Sequence, residues 1–284
     1  GIIGLPNVGK STLFNALTRS SIEAENYPFC TIEPHVGIVA VPDSRLQELA
    51  DIVVPEKIIP AHMEFVDIAG LVAGASKGEG LGNKFLANIR EMQAIIQVVR
   101  CFDDDNIVHV SGKIDPISDI EIINTELCLA DLEIVNNALN KANKLNRSGN
   151  KNVEKEVETL QKLVAHLDEG LPIRTINISE LDHVIIKNLS LLTQKPILYI
   201  ANIEENGADK NPWLEKIRSF LANENSQLIP ICATVEAEVS ELDDEDEKKE
   251  FLKAMGMSEP GLDLIINAGY KLLGLQNYFT AGPK

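Results

Sequence analysis

Residues 4–11 read GLPNVGKS, which fits the pattern G-x-x-x-x-G-K-S. The apolar residues Gly1, Ile2 and Ile3 precede it, and residues 12–17, TLFNAL, are typical of a helix. A strand, a glycine-rich loop and a helix in this order form the context in which the pattern binds phosphate. Backbone N–H groups of such a loop surround the phosphate, and the helix N-terminus adds partial positive charge. The stretch therefore predicts a P-loop.

The residues of this loop have separate predicted roles. We expect Lys10 to reach the β- and γ-phosphates, as both a binding and a catalytic residue, and the Ser11 hydroxyl to bind Mg²⁺. The predicted nucleotide-binding set of the loop is completed by Asn7, Val8, Gly9 and Thr12.

Two later segments lie where nucleotide switches sense the γ-phosphate. Thr31 belongs to a loop with two prolines and is predicted to bind Mg²⁺ and sense the γ-phosphate, the alternative being an ordinary loop threonine. Residues 63–67, MEFVD, are predicted to form a strand. Its last residue is the first of the pattern D-x-x-G, Asp67 to Gly70. There Asp67 is expected to hold Mg²⁺ through water, and the Gly70 amide to meet the γ-phosphate. The position at a strand end, about sixty residues after a P-loop, makes this short pattern specific.

Other apolar segments predict the rest of an α/β domain. The predicted strands are 37–41, 94–102, 196–202 and 227–233, and the predicted helices include 44–52, 213–221 and segments within 251–275. The run at 94–102 is typical of a strand that is covered on both faces. The predicted fold is that of a P-loop NTPase, a mostly parallel sheet with helices on both faces, built from residues 1–115 and 194–284.

Residues 116–193 are predicted to be a helical insertion in that domain. Apolar residues recur at spacings of three and four in two stretches, which the turn-like residues 146–150, NRSGN, separate. This heptad pattern on two tightly joined helices predicts an antiparallel coiled-coil hairpin. The expected seam consists of Ile120, Ile123, Leu127, Ala130 and Ile134 in the first helix, and Val153, Val157, Leu160, Val164 and Leu167 in the second.

The net charge of −17 and the pI of about 4.7 argue against broad binding to naked nucleic acid, and we expect no DNA partner. A local basic patch is still predicted near the hairpin tip, as a contact for an acidic partner such as RNA. Its residues are Lys141, Lys144, Arg147, Lys151 and Lys155. The alternative is that these side chains are merely solvated helix ends.

The four cysteines are too far apart for a zinc site or a disulfide framework. Cys30, Cys101, Cys128 and Cys232 are expected to be small buried residues in a reducing compartment. Because no signal peptide or long apolar run is visible, we expect a cytoplasmic protein without a membrane partner.

Four segments together resemble the YchF/Obg-like ATPases, P-loop proteins of the translation-factor class related to Obg. They read GLPNVGKST at 4–12, NYPFCTIEP at 26–34, FVDIAGLVAGASKGEGLGN at 65–83 and YIAN at 199–202. The resemblance covers the whole chain and implies ATP, Mg²⁺ and association with the ribosome. Family members continue into a C-terminal TGS domain that these 284 residues do not include, so a fragment is expected.

The stretch that would read the base is Asn202-Ile203-Glu204-Glu205. GTPases carry N-K-x-D there, and the Asp accepts hydrogen bonds from guanine N1–H and the 2-amino group. Here Lys is absent, and the longer carboxylate of Glu205 does not fit guanine's paired donors. Adenine lacks both donors, and the resemblance implies a preference for ATP. Asn202 is expected to face the base ring, with Ile203 as an apolar neighbour.

The resemblance also suggests two further base contacts. Phe102 is expected to flank the base, and Cys232 begins the stretch Cys232-Ala233-Thr234, which stands where GTPases carry an S-A-K loop. Relaxed specificity, with GTP also accepted, is the alternative.

Hydrolysis needs a group that orients water. Ras-type enzymes place a Gln just after D-x-x-G, but this position is Leu71, which cannot form the hydrogen bond. His109 is the best candidate in the chain, because a neutral imidazole accepts a hydrogen bond from water, and the resemblance favours this over a surface histidine. Asn7 supports a second hypothesis, since an Asn at this position in related proteins coordinates K⁺, which supplies positive charge.

These observations predict a nucleotide-dependent switch that binds and slowly hydrolyses ATP and acts with the ribosome. Two alternatives stay open: a GTPase or dual-specificity NTPase, and a binding module whose helical insertion recruits a partner without enzymatic turnover. A further segment, Asp103-Asp104-Asp105, suggests a metal site but is more typical of a solvated turn.

Overall fold

The structure is a computed structural model, which describes residues 1–19, 35–68, 81–104, 106–107, 112–147, 153–205, 207, 211–224, 226–242, 244–257 and 259–281. Within these ranges, no helix has the length and apolar character needed to span a lipid bilayer.

Six strands in the described part of the chain form two sheets, one of four strands and one of two. They are β1 (Ile2–Ile3), β2 (Val36–Ala40), β3 (His62–Val66), β4 (Ile95–Cys101), β5 (Ile197–Ile203) and β6 (Gln227–Ile231). Strands β1, β4, β5 and β6 are parallel neighbours in this order, whereas β2 and β3 form an antiparallel pair. A parallel bridge between Ile2 and Asp67 connects β3 to β1, and the Ile68 N–H donates to the Ile2 carbonyl at 3.1 Å. The end of β3 is thereby held beside the strand that leads into the P-loop.

Ten helices accompany the sheet in the described part of the chain. They are α1 (Lys10–Arg19), α2 (Ser44–Val53), α3 (Leu81–Glu91), α4 (Pro116–Arg147), α5 (Glu154–Asp168), α6 (Glu180–Lys187), α7 (Pro212–Leu221), α8 (Ala233–Ser240), α9 (Glu245–Ala254) and α10 (Gly261–Leu272). Every residue of β4 and β5 is buried, as expected for central strands covered on both faces. The predicted α/β P-loop fold is confirmed.

Helix α4 packs against two different hydrophobic cores. Ile120, Ile123, Leu127 and Ala130 belong to the core that surrounds the sheet. Further along the same helix, Val135 and Ala142 pack in a second core with α5, which contributes Val157 and Leu160 among others. The prediction for the first helix of the seam is therefore corrected: four of its five residues lie in the core around the sheet, and of the five only Ile134 packs against the core shared with α5. The helices α4 and α5 pack against each other, and a coiled-coil supercoil stays a prediction.

Two buried polar contacts attach this helical segment to the chain that returns to the sheet. Asp131 of α4 accepts hydrogen bonds from the Leu192 N–H (2.8 Å) and the Thr193 N–H (2.7 Å). Arg174 donates to Asn124 at 2.9 Å and to the Tyr199 hydroxyl at 3.1 Å, and it forms an ion pair with Glu224. The domain boundary at residue 116 stays a prediction, because the first turns of α4 share the core of the sheet.

The cysteines divide into two environments. Cys101 and Cys128 are buried, and burial raises the pKa of each thiol to about 12, so neither is a thiolate near neutral pH. Cys232 is half-buried at the N-terminus of α8, so the expectation of a buried residue is wrong for this position. Cys30 lies outside the described residues.

Candidate functional site

A cavity of about 880 Å³ opens where the parallel strands end. In an open α/β sheet, ligands bind in the crevice outside the carboxyl ends of the strands. Its wall consists of the P-loop, the end of β3 and the segments that follow β4, β5 and β6. The lining residues are Leu5, Pro6, Asn7, Gly9, Lys10, Ser11, Thr12, His35, Asp67, Phe102, Asp103, Asp104, Ile107, Asn202, Ile203, Glu204, Glu205, Cys232, Ala233 and Thr234.

The P-loop turn requires an unusual backbone. Gly9 has φ +91°, which disfavours L side chains, and Asn7 has φ +64° in the left-handed region that Asn tolerates. The Leu13 N–H donates to the Gly9 carbonyl at 3.0 Å, which starts the regular helix. As a result, Ser11 and Thr12 are exposed at the N-terminus of α1, facing the cavity.

Lys10 and Asp67 form an ion pair at this end of the cavity. They lie 57 positions apart in the chain, and their side chains are 9% and 10% exposed. The bridge between β1 and β3 explains the contact, because it aligns the D-x-x-G segment with the strand before the P-loop. The structure thus brings together the predicted phosphate-binding cation and a predicted Mg²⁺ ligand.

The residues at this end fit a bound Mg²⁺. The Ser11 hydroxyl and the Asp67 carboxylate both line the cavity, and oxygen donors of this kind suit a hard cation. Among the described residues, no group of three or more His, Cys, Asp or Glu is placed to hold a metal alone. This donor set matches the usual Mg²⁺ arrangement, in which one or two protein ligands are completed by substrate phosphates and water.

Asn202 connects the P-loop to the segment after β6. Its amide nitrogen donates to the Val8 carbonyl at 3.0 Å, and its amide oxygen accepts from the Ala233 N–H at 3.0 Å. Asn202 is 6% exposed and reaches the cavity wall, but its amide is engaged by the main chain. The expectation that Asn202 faces the base ring is therefore corrected: it fixes the loops on either side.

The part of the wall that follows β4 and β5, called the base-side wall, is the part where the sequence predicts contacts with a base. Phe102 is half-buried there, and the buried Arg100 lies over its ring at 4.6 Å from guanidinium carbon to ring centroid. The Asp103 N–H donates to the Glu204 carboxylate at 3.3 Å, which connects the two segments. Asp104 accepts from the Asn106 N–H at 2.8 Å, as in a turn that its own side chain stabilises.

Most predicted site residues meet in this one cavity. Asn7, Gly9, Lys10, Ser11, Thr12, Asp67, Phe102, Asn202, Ile203, Glu205 and Cys232 line it. Val8 does not, because its side chain lies in the hydrophobic core, and its carbonyl is the acceptor of Asn202. Thr31, Gly70 and His109 lie outside the described residues, as do Leu71 and Lys151.

Sequence reasoning missed several residues of the site. His35 lines the cavity just before β2 and has φ +72°, which no sequence pattern indicates. The sequence indicates only that Arg100 belongs to a largely apolar strand, yet its side chain donates to the Phe102, Asp104 and Ile107 carbonyls of this wall. A charged residue inside such a run was the signal that could have found it, because a buried Arg needs several acceptors.

Comparisons with known proteins find relatives along the whole chain. The family model described as "50S ribosome-binding GTPase" matches residues 1–141, which include the P-loop, Asp67 and Phe102. Among curated relatives, the "Ribosome-binding ATPase YchF" of Escherichia coli O157:H7 is 56% identical over 284 residues, covering 100% of this chain and 78% of the relative. The protein of that name from Bacillus subtilis (strain 168) is 54% identical over 287 residues, with the same coverage.

Two solved structures are also similar to this chain. The Schizosaccharomyces pombe "YchF GTPase" superposes with a TM-score of 0.88 at 40% identity, covering 100% of this chain and 77% of that one. A "GTP binding protein" from Pyrococcus horikoshii OT3 has a TM-score of 0.55 at 20% identity over 96% of this chain and 78% of that one, and shares the fold alone. High identity along the whole chain, together with the P-loop cavity, establishes that the chain belongs to the YchF family of P-loop nucleotide-binding proteins.

Proposed function

We propose that this protein is a nucleotide-dependent switch that binds ATP with Mg²⁺, hydrolyses it slowly and acts with the ribosome. The observation that carries the proposal is the meeting of Lys10 and Asp67 in an ion pair at the P-loop end of the cavity. A P-loop lysine pairs with the β- and γ-phosphates, and the acidic residue after the strand holds the metal.

The choice of ATP rests on the opposite end of the cavity. The names of the relatives do not agree on the nucleotide. The bacterial relatives are called ATPases, whereas the Schizosaccharomyces pombe protein is called a GTPase. In this chain the base-reading stretch carries the exposed Glu205 instead of Asp, and Lys is replaced by Ile203. A site that does not match guanine's two donors leaves them unpaired, which costs binding energy for GTP and none for ATP.

Catalysis is proposed to use few protein groups. Lys10 stabilises charge on the phosphates, while Ser11, Thr31 and Asp67 hold the Mg²⁺, which supplies further charge neutralisation when bound. The Gly70 amide senses the γ-phosphate, and His109 orients water in place of the missing Gln. The rate is proposed to be low because Leu71 cannot take part, and K⁺ near Asn7 is proposed as an added positive charge.

Ribosome binding is proposed from the relatives' name and from the helical segment. Lys141 and Lys144 are exposed on α4, and Lys155 is exposed on α5. Lys155 is 3.4 Å from the buried Asp182, so only part of its charge is available to an RNA-containing partner. We propose a cytoplasmic location, where this partner is found.

Calorimetry with ATP and with GTP, each with Mg²⁺, tests the central proposal. We expect ATP to bind more tightly by about tenfold or more, which corresponds to about 1.4 kcal/mol. Preference for GTP would overturn the interpretation of Glu205, and no binding of either nucleotide would refute the proposed function.

Phosphate release distinguishes the enzyme from a non-enzymatic binding module. We expect slow release by the wild type with ATP, loss of release in Lys10→Ala, and a decrease of about 10²-fold or more in His109→Ala. Release that is equal in potassium and sodium buffers would exclude the role of Asn7 in binding K⁺.

A further inference from the structure

Arg100 is a buried cation in the strand that leads into the base-side wall. It is 1% exposed at the end of β4, whose residues are all buried. Within the described ranges, its hydrogen bonds go to main-chain carbonyls and none goes to a carboxylate. A buried charge without an ionic partner is costly, so an arginine at this position indicates a specific task.

The contacts of Arg100 converge on one segment. Its Nε donates to the Phe102 carbonyl at 3.1 Å, and Nη1 donates to the Ile107 carbonyl at 2.8 Å. Nη2 donates to the Asp104 carbonyl at 3.3 Å. The guanidinium also lies over the Phe102 ring, at 4.6 Å. One side chain thus holds three separate points of the segment, and all three of these residues line the cavity.

The neighbouring strand carries a second buried polar residue at the same level. Arg100 is the register partner of Asn202 in the pairing of β4 with β5. Asn202 binds the main chain of the P-loop and of Ala233, whereas Arg100 binds the main chain of the segment after β4. The two residues therefore hold different parts of the cavity wall. Asn202 holds the P-loop, at the end predicted to bind phosphates, and Arg100 holds the opposite wall.

We propose that Arg100 is a positioning residue that holds Phe102 and Ile107 against the purine, and so determines affinity for the base but not for the phosphates. This inference rests on the proposed function, since it assumes that a purine nucleotide occupies the cavity. Arg100 does not touch the nucleotide. It acts through the Phe102 ring, which its guanidinium covers and which lines the cavity.

The test compares ligands with and without a base. Arg100→Lys keeps the charge but has no planar fork, so it cannot hold three carbonyls and the ring together. We expect its Kd for ATP with Mg²⁺ to rise about tenfold, as for one weakened base–aromatic stack. The Kd for inorganic tripolyphosphate with Mg²⁺, which lacks the base, is expected to change less than about twofold, because the P-loop contacts are unaltered.

Arg174→Lys is the matched control. The side chain of Arg174 is only 8% exposed and also has several acceptors, but it binds Asn124, Tyr199 and Glu224, none of which lines the cavity. Arg174→Lys should lower the free energy of unfolding. The ratio of the Kd for ATP to the Kd for tripolyphosphate should stay as in the wild type. If Arg100→Lys does not fold, Arg100→Gln gives the same comparison without a buried charge.

A further variant tests whether Arg100 affects the Kd for ATP through Phe102. Phe102→Leu should show the same loss for ATP alone, and the double variant with Arg100→Lys should lose little more than Phe102→Leu, since the two act as one unit. The inference is overturned if Arg100→Lys weakens both ligands equally or neither, if Arg174→Lys shifts the ratio alike, or if Phe102→Leu leaves ATP binding unchanged. Failure of the wild type to bind ATP would instead refute the proposed function.

Discussion

Asn202→Ala removes a side chain that connects the P-loop to the start of α8. In the native structure its amide binds the Val8 carbonyl and the Ala233 N–H, each at 3.0 Å. Val8 is 1% exposed and Ala233 is 3% exposed, so both main-chain groups lie in a buried setting. The variant leaves an acceptor on one loop and a donor on the other without their partners.

The expected cost follows from these two groups. An unsatisfied buried polar group costs about 1–3 kcal/mol, and water entering from the adjacent cavity offsets part of this, so we expect a loss of about 2–4 kcal/mol in the free energy of unfolding. Because the P-loop amides must keep their positions to surround a phosphate, we also expect the Kd for ATP to rise about tenfold or more. Urea denaturation and calorimetry measure the two quantities separately.

Asn211→Ala serves as the control for this prediction. Asn211 likewise connects two main-chain groups, donating to the Cys101 carbonyl at 2.7 Å and accepting from the Trp213 N–H at 3.0 Å, but it does not line the cavity. It should lower stability by about 1–3 kcal/mol with ATP affinity preserved. If Asn202→Ala binds ATP as the wild type does, or unfolds within about 0.5 kcal/mol of it, the assigned role of Asn202 is refuted.

Three other perturbations have direct expectations. Gly9→Ala places a methyl group onto the Asn202 amide at φ +91°, so it should cost about 1–3 kcal/mol and reduce ATP binding, and calorimetric binding equal to the wild type would contradict this. Asp131→Ala leaves two buried N–H groups of residues 192 and 193 unpaired, so urea denaturation should show a loss of about 2–5 kcal/mol with unchanged ATP affinity. Hydrogen bonds from Thr159 and Ser179 hold the pKa of Asp182 below its usual value, so its contribution is present above the unfolded pKa of about 3.9 and is lost as the pH falls below it. Urea denaturation between about pH 6 and 3 should therefore show a smaller acid-induced loss in Asp182→Asn than in the wild type, and parallel curves would exclude this contribution.

The phosphate end of the site was predictable because its chemistry is local in sequence. Gly9, Lys10 and Ser11 must be consecutive for one turn to present amides, a cation and a hydroxyl to one phosphate chain. Asp67 was predictable because a strand end and D-x-x-G recur at a similar distance from P-loops. The structure places Lys10 and Asp67 in an ion pair, so these two predicted site residues do meet.

The base end was less predictable because its contacts come from separate strands. An Asn at the end of a buried strand fits a base-reading residue and a loop connector equally well, and only the positions of Val8 and Ala233 distinguish them. The task of Arg100 depends likewise on where the carbonyls of three later residues lie. His35 enters the site through a backbone with φ +72°, for which the sequence has no signal.

By itself the sequence determined the P-loop, the α/β class, most of the strands and the family, because each depends on short patterns or on periodicity. Tertiary structure alone decided which surface each periodic face covers. The spacing of Ile120, Ile123 and Leu127 is the same whether a helix packs on another helix or on a sheet, and the fold places these residues in the sheet core. It also decided which polar groups meet, since hydrogen-bond partners far apart in the chain are set by strand register and loop path.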